Sequence, residues 1–201
     1  MKSKPESRTI PSHWENPLDN VLYDMSYETN KIFKALNFTP NMLTTVSLVL
    51  TTIGIMKLYE HKYKLGSILI FLGYCFDCSD GNFARTYSME SQFGDKYDHT
   101  SDSLKILLFA IWLYKENTIN KKLKRNVVFV LIILSYLAFM HLGCQEKNKK
   151  IEQNKSVLGT FIPLCNDKNM ISYTRYFGGG TYVLLLCLFV YNIPYLNKLV
   201  K

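Results

Sequence analysis

The chain has 201 residues, room for one domain of ordinary size, and its 48% hydrophobic and 14% aromatic content would suit a soluble protein as well as a membrane one. Its net charge of +8 is spread among loops, in Lys121, Lys122, Lys124 and Arg125 and again in Lys147, Lys149, Lys150 and Lys155. Cations that flank membrane segments explain both clusters, which argues against a nucleic-acid partner. Residues 1–38 are polar, with Pro5, Pro11 and Pro17, and lack the apolar stretch of a cleavable signal peptide. Within them Val21, Leu22, Met25, Ile32, Phe33 and Leu36 predict an amphipathic helix over 20–36, lying on the membrane or packed on a bundle as an ordinary surface helix.

Thr39-Pro40-Asn41 opens the first predicted membrane helix, with proline at ease at a helix start. Met42 to Tyr59 follows as a candidate span, diluted by threonines and Lys57. Leu65 to Phe76 and Leu104 to Tyr114 are too short to cross about 30 Å of hydrocarbon. They reach that length only by continuing through Asp77 and Asp80 on one side and back to Gly94 on the other, so the stretch between them belongs at a membrane interface. Val127 to Leu142 and Phe177 to Leu196 are further spans. Val157 to Cys165, with Gly159 and Pro163, is a short or broken helix, a re-entrant piece or an interfacial one. The expectation is an all-α integral membrane protein: five to six transmembrane helices over 39–201, preceded by a polar segment over 1–38 that carries the interfacial helix.

Five cysteines lie mostly in or near apolar segments. Cys75 and Cys78 have redox or zinc spacing without a second pair to accompany them. All five are read as small helix-packing residues.

The chemistry gathers between Asp77 and Asp102. Asp77 and Asp80 are three residues apart, and Asp98 and Asp102 four, so each pair shares one helix face. An aspartate near the middle of a spanning helix costs roughly 2.5 to 3.5 kcal/mol, less toward its ends. Nearby Arg85 and Lys96 cannot pair all four carboxylates, which points to hard divalent cations such as Mg²⁺ or Mn²⁺. Gly81, Ala84 and Gly94 taken singly would be helix-packing residues, and Arg85 an interfacial cation.

Taken together, the eight positions Asp77, Asp80, Gly81, Ala84, Arg85, Gly94, Asp98 and Asp102 resemble the signature of the CDP-alcohol phosphotransferases, D-x2-D-G-x2-A-R-x8-G-x3-D-x3-D. The likeness covers about 70 to 115. It implies a metal-dependent enzyme of phospholipid synthesis that transfers a substituted phosphate from a CDP-alcohol to an alcohol, with CMP as leaving group. Six helices are usual in that family, and a homodimer is implied. By the same resemblance Asp77, Asp80 and Asp98 are metal ligands and Asp102 completes a two-metal site and is the usual candidate base. Gly81 and Ala84 let the nucleotide approach, Arg85 sits near the diphosphate or holds an aspartate, and Gly94 allows close packing. Asn41 follows a proline as in the eukaryotic branch, near the nucleotide pocket.

Gly94-Asp95-Lys96-Tyr97-Asp98-His99 with Ser103 resembles the choline/ethanolamine branch, where a histidine at the place of His99 is a proposed base. That branch joins CDP-choline or CDP-ethanolamine to diacylglycerol but is about twice this length. The chain's size is nearer to the enzymes that join CDP-diacylglycerol to inositol, serine or glycerol phosphate. Slightly more weight falls on the motif. Outside the family, an aspartate-rich membrane prenyltransferase would show two separate motifs, and a non-catalytic membrane protein has no reason to keep four desolvated aspartates. The site is expected to face the cytoplasm, where CDP-linked substrates are found, although this places Lys121–Arg125 against the positive-inside tendency. Arg175 to Gly180, with three consecutive glycines, is read as a backbone approach for a ligand or as a flexible turn.

Overall fold

The computed structural model describes residues 8, 10–149 and 157–199, and every regular element in them is helical. Pro5, Lys150 and Lys155 lie outside the described residues. Helix α1 runs Pro17–Ala35, where the Asn16 side chain accepts from the N–H groups of Leu18 and Asp19 and Pro17 occupies the first turn. Helix α2, Pro40–Tyr59, starts the same way on Thr39. Helices α3, Tyr63–Thr86, and α4, Gln92–Lys115, have 24 residues each. At about 1.5 Å per residue they are long enough to cross the hydrocarbon and still carry the motif at one end. Asn37, His61 and Ser88, just past the ends of α1, α2 and α3, take φ of 58°, 57° and 52°, the left-handed turn that closes many helices.

Helix α5 is Lys121–Asn148. After it, Val157–Leu164 is a 3-10 segment of eight residues, which at about 2 Å per residue cannot cross a membrane. It packs back on α5, with Phe161 stacked on Phe139 at 4.7 Å between ring centroids. Two more 3-10 turns, Lys168–Met170 and Arg175–Phe177, flank the four-residue α6, Ile171–Thr174. Helix α7, Gly179–Leu199, completes the bundle. The described residues therefore hold five helices of 20 residues or more beside α1. Helix α2, helix α5 and the stretch 168–199 are long and apolar enough to cross a membrane. The three glycines form neither a flexible turn nor an open approach. Gly178 is extended, and Gly179 and Gly180 begin α7. A Cβ on Gly180 would lie 2.3 Å from Asp19 Oδ1, so its bareness lets α1 reach α7.

The main core, Ile55, Leu58, Ile70, Trp112, Val190 and Ile193 among others, sits toward the end remote from the motif. A smaller one, Ile10, Cys144, Cys165 and Ile171 with Trp14 and Met170 against it, ties the start of the chain to α5 and α6 at the motif end. Cys144 and Cys165 form a disulfide, which corrects their reading as packing residues. Cys75, Cys78 and Cys187 are free and at least partly buried, as expected. Around the bundle Ile106, Leu107, Phe129 and Ile132 are more than half exposed, an outer surface suited to lipid.

Helix α1 is turned inside out relative to a helix in water. It buries Asp19, Leu22, Ser26 and Asn30 and exposes Val21, Met25, Ile32 and, just past its end, Leu36 by 54–62%. The inward polar stripe is matched by α3: Ser26 Oγ meets Ser79 Oγ at 3.0 Å, Asn30 Nδ2 donates to Asn82 Oδ1 at 3.0 Å, and Tyr74 OH donates to Asp19 Oδ1 at 2.6 Å. It packs on the bundle through polar groups and offers its apolar face outward.

Candidate active site

Three helix ends meet at the motif. On α3, Gly73 lets α2 come close: a Cβ there would lie 2.3 Å from Thr51 Oγ1 and 3.0 Å from the Ser47 carbonyl. This approach, one helical turn before Asp77, brings two α2 hydroxyls to the carboxylates. Ser47 Oγ donates to Asp77 Oδ1 at 3.1 Å and Thr44 Oγ1 to Asp80 Oδ2 at 2.6 Å. Helix α4 packs on α2 and supplies Asp98, His99 and Asp102. Asp77, Asp80 and Asp98 each offer a carboxylate oxygen within 4.8 Å of the others, and so do Asp98 and Asp102 with a ring nitrogen of His99. The two aspartate pairs, each on one helix face, lie together at this end of the bundle.

Two features test whether a cation fits. Asp98 Oδ1 is buried without a hydrogen-bond partner, which for a charged oxygen costs several kcal/mol unless something completes it. Its neighbours are hard oxygen donors, the set that Mg²⁺ and Mn²⁺ prefer. The residues fit such an ion. His99 Nε2 is also buried and makes no hydrogen bond, lying 3.5 Å from Asp95 Oδ1.

The other motif residues lie around this centre. A Cβ on Gly81 would lie 3.1 Å from Arg85 Nη1, so the guanidinium folds back over Gly81 on its own helix. Ala84 is half-buried one turn beyond. Gly94 faces Asn41 across the α2–α4 contact, with 3.2 Å between its ideal Cβ and Asn41 Oδ1. Beside them Thr45 Oγ1 and Tyr97 OH are 2.9 Å apart, and Tyr97 stacks on the exposed Phe93.

Sequence reasoning missed Lys105. Its Nζ lies 2.5 Å from Asp77 Oδ1, 2.7 Å from Asp102 Oδ1 and 3.1 Å from Ser47 Oγ. The carboxylates therefore have an internal cation that a count of Arg85 and Lys96 alone leaves out. Lys105 was legible as a lone charge in an apolar run, three residues after Asp102. Thr44 and Ser47 were legible as hydroxyls at helical spacing facing the same way.

A second polar cluster lies nearby, where α1, α5 and α7 meet. Glu15 Oε1 accepts from Gln145 Nε2 at 2.8 Å, which lies 3.1 Å from His141 Nε2, and His141 Nδ1 lies 3.2 Å from Thr174 Oγ1. Asn16 Nδ2 donates to the Arg175 carbonyl and to Thr181 Oγ1, and Arg175 Nη1 to the His13 carbonyl. Burial, helped by the charge of Asp19, pushes the Glu15 carboxyl up to about 7, and burial likewise raises Asp19.

A family model described as CDP-alcohol phosphatidyltransferase matches residues 37–194. An archaetidylinositol phosphate synthase from Pyrococcus horikoshii is 30% identical over 109 residues, 53% of this chain and 55% of that protein. A CDP-diacylglycerol–glycerol-3-phosphate 3-phosphatidyltransferase from Rickettsia felis is 31% identical over 85 residues, 41% of this chain and 47% of that protein. The matched stretch spans about half the length of these relatives. No solved structure matches the chain. With eight signature positions assembled on the facing ends of α3 and α4 and a family match over most of its length, this all-helical membrane protein belongs to the CDP-alcohol phosphatidyltransferase family.

Proposed function

We propose that this protein transfers a phosphatidyl-type group from a CDP-linked lipid to a small polar alcohol, releasing CMP. The observation that carries this reading is the open, buried oxygen of Asp98, set among the oxygens of Asp77 and Asp80. Asp77, Asp80 and Asp98 would hold Mg²⁺ or Mn²⁺, with Asp102 alongside. A bound ion of this kind neutralises the diphosphate and the departing CMP. Gly81, Ala84, Gly94 and Asn41 would give the nucleotide a wall of small residues, and Arg85, lying over Gly81, would meet the diphosphate from the side.

The reaction joins the acceptor's hydroxyl oxygen to the β-phosphorus while the bond from that phosphorus to the CMP oxygen breaks. The hydroxyl proton must go to the protein. His99 is our choice of base, because its buried Nε2 has no hydrogen bond and can accept one from the incoming hydroxyl. Asp102, next to it, would orient the ring. We read α2, α3, α4, α5 and α7 as five membrane crossings with α1 along the surface, and the motif end as cytoplasmic, where nucleotide-activated substrates are found.

The Rickettsia felis relative's name favours a CDP-diacylglycerol-type donor, and the two names together an inositol- or glycerol-phosphate acceptor. A second reading, CDP-choline or CDP-ethanolamine with diacylglycerol, is favoured by the residues from Gly94 to Ser103. Membranes from expressing cells would be assayed with each labelled pair. Labelled lipid from CDP-diacylglycerol and a polyol phosphate is the expected result. Product only from CDP-choline or CDP-ethanolamine would reverse the order of the two readings, and no CMP release from any pair would sink both.

A further inference from the structure

Lys105 uses all three of its ammonium hydrogens inside the carboxylate cluster, on Asp77, Asp102 and Ser47. Its side chain is only 13% exposed. A lysine held this way has given up both hydration and rotamer freedom, and two short ion pairs offset that cost. We propose that Lys105 is the second cation of this site: a centre of one divalent metal and one built-in ammonium, where four aspartates would otherwise call for two metals. This rests on the carboxylate cluster being the metal site described above.

The cluster is already divided in that way. Asp98 Oδ1 has no protein donor, and Asp77, Asp80 and Asp98 converge within 4.8 Å, so in one half the protein itself supplies no cation. The other half, the bridge from Asp77 to Asp102, has one. A carboxylate has two oxygens, so Asp77 can meet the ammonium with Oδ1 and an ion with Oδ2. A divalent ion bridging Asp77 and Asp102 at about 2.1 Å from each would need the space that Nζ fills. Two cations cannot share it without strong repulsion, so a second metal must first expel the lysine.

The test is a Mn²⁺ titration of the full-length protein, purified in detergent and freed of metal by chelation, with free Mn²⁺ followed by electron paramagnetic resonance. The unaltered protein should hold one tight ion per chain. Lys105→Met should gain a second, bound about tenfold or more tighter than any second ion on the unaltered protein. Lys105→Arg, which keeps the charge, should remain at one. Two tight ions on the unaltered protein would overturn the proposal without recourse to a variant, so the test survives even if Lys105→Met fails to fold. A folded Lys105→Met that still holds only one would overturn it too. Asp98→Ala separates this inference from the one beneath it. Loss of the ion there upholds the metal site whatever Lys105 does, whereas an Asp98→Ala protein that keeps its ion would refute the site itself.

Discussion

Two clusters of buried polar side chains lie at the same end of the bundle, and they are finished differently. Around Asp19 the protein supplies the partners itself: Oδ1 accepts from Tyr74, Oδ2 from the Gly180 N–H, and Glu15 accepts from Gln145 and from the Asn16 N–H. Around Asp98 it stops short, leaving a buried carboxylate oxygen with nothing to accept. Burial of acidic groups is common to both. What separates a cluster that holds helices together from one that awaits a ligand is whether the donors are already present.

The largest expected effect breaks the open cluster. Asp98→Ala or Asp77→Ala should lower CMP release by about 10³-fold or more, the scale of losing a main electrostatic contact at a reacting phosphate, with the protein still inserted in membranes. Chelation should do the same to the unaltered protein, and Mg²⁺ or Mn²⁺ should restore it. Turnover by Asp77→Ala in the presence of EDTA would refute metal dependence. Next in size, His99→Ala should reduce kcat by roughly 10²-fold with Mn²⁺ affinity little changed. A near-normal His99→Ala beside a dead Asp102→Asn would hand the role of base to Asp102.

The closed cluster should respond in the other currency. Tyr74→Phe removes the hydroxyl donor to Asp19 and should cost about 2 kcal/mol of stability, as for a hydrogen bond to a charged group, while kcat of the protein that remains folded is unchanged. Thermal aggregation followed by size-exclusion chromatography would read the first quantity and a CMP-release assay the second. A drop in kcat without loss of stability would mean that the two clusters are not separate. The smallest effect concerns pH. Folded Glu15 keeps its proton up to about pH 7, against an ordinary value of 4.5. The folded state therefore binds more protons than the unfolded one across that window, and stability falls as pH rises through it. Glu15→Gln should flatten the decline between pH 4.5 and 7; an unchanged slope would show that Glu15 is not its source.

Most of the open cluster was legible in the sequence, because helical spacing places Asp77 with Asp80 and Asp98 with Asp102 before any packing is known. The lengths of α3 and α4 followed from the same motif, since their apolar runs needed it to reach spanning length. What stayed hidden depends on contacts between distant segments. Lys105 stands out in the sequence as a lone charge in an apolar run, but its partner Asp77 lies on another helix, so the pairing was not visible. The donors of the closed cluster, Asn16, Tyr74, Gln145 and Gly180, are scattered along the chain and meet only when α1 packs with its polar face inward. Nothing local announces that reversal, because an amphipathic pattern shows two faces without saying which meets protein and which meets lipid. Cys144 and Cys165, 21 residues apart, likewise carry no local sign of their pairing.

That disulfide also works as a reporter of sidedness. Helix α5 returns to the motif end before reaching Cys144, so the bond and the carboxylates share one side of the membrane. Disulfides persist in oxidising compartments and are kept reduced in most cytosols. Thiol alkylation in intact cells, read as a mass shift on the peptides that carry Cys144 and Cys165, would therefore report which compartment bathes the aspartates, with no substrate and no assay of turnover. The bond and the cytoplasmic reading pull in opposite directions. Both thiols alkylated would uphold a cytoplasmic site and mean that the pair stays reduced in the cell, whereas a protected, bonded pair would place the aspartates on the opposite face and require the CDP-linked donor to be delivered there.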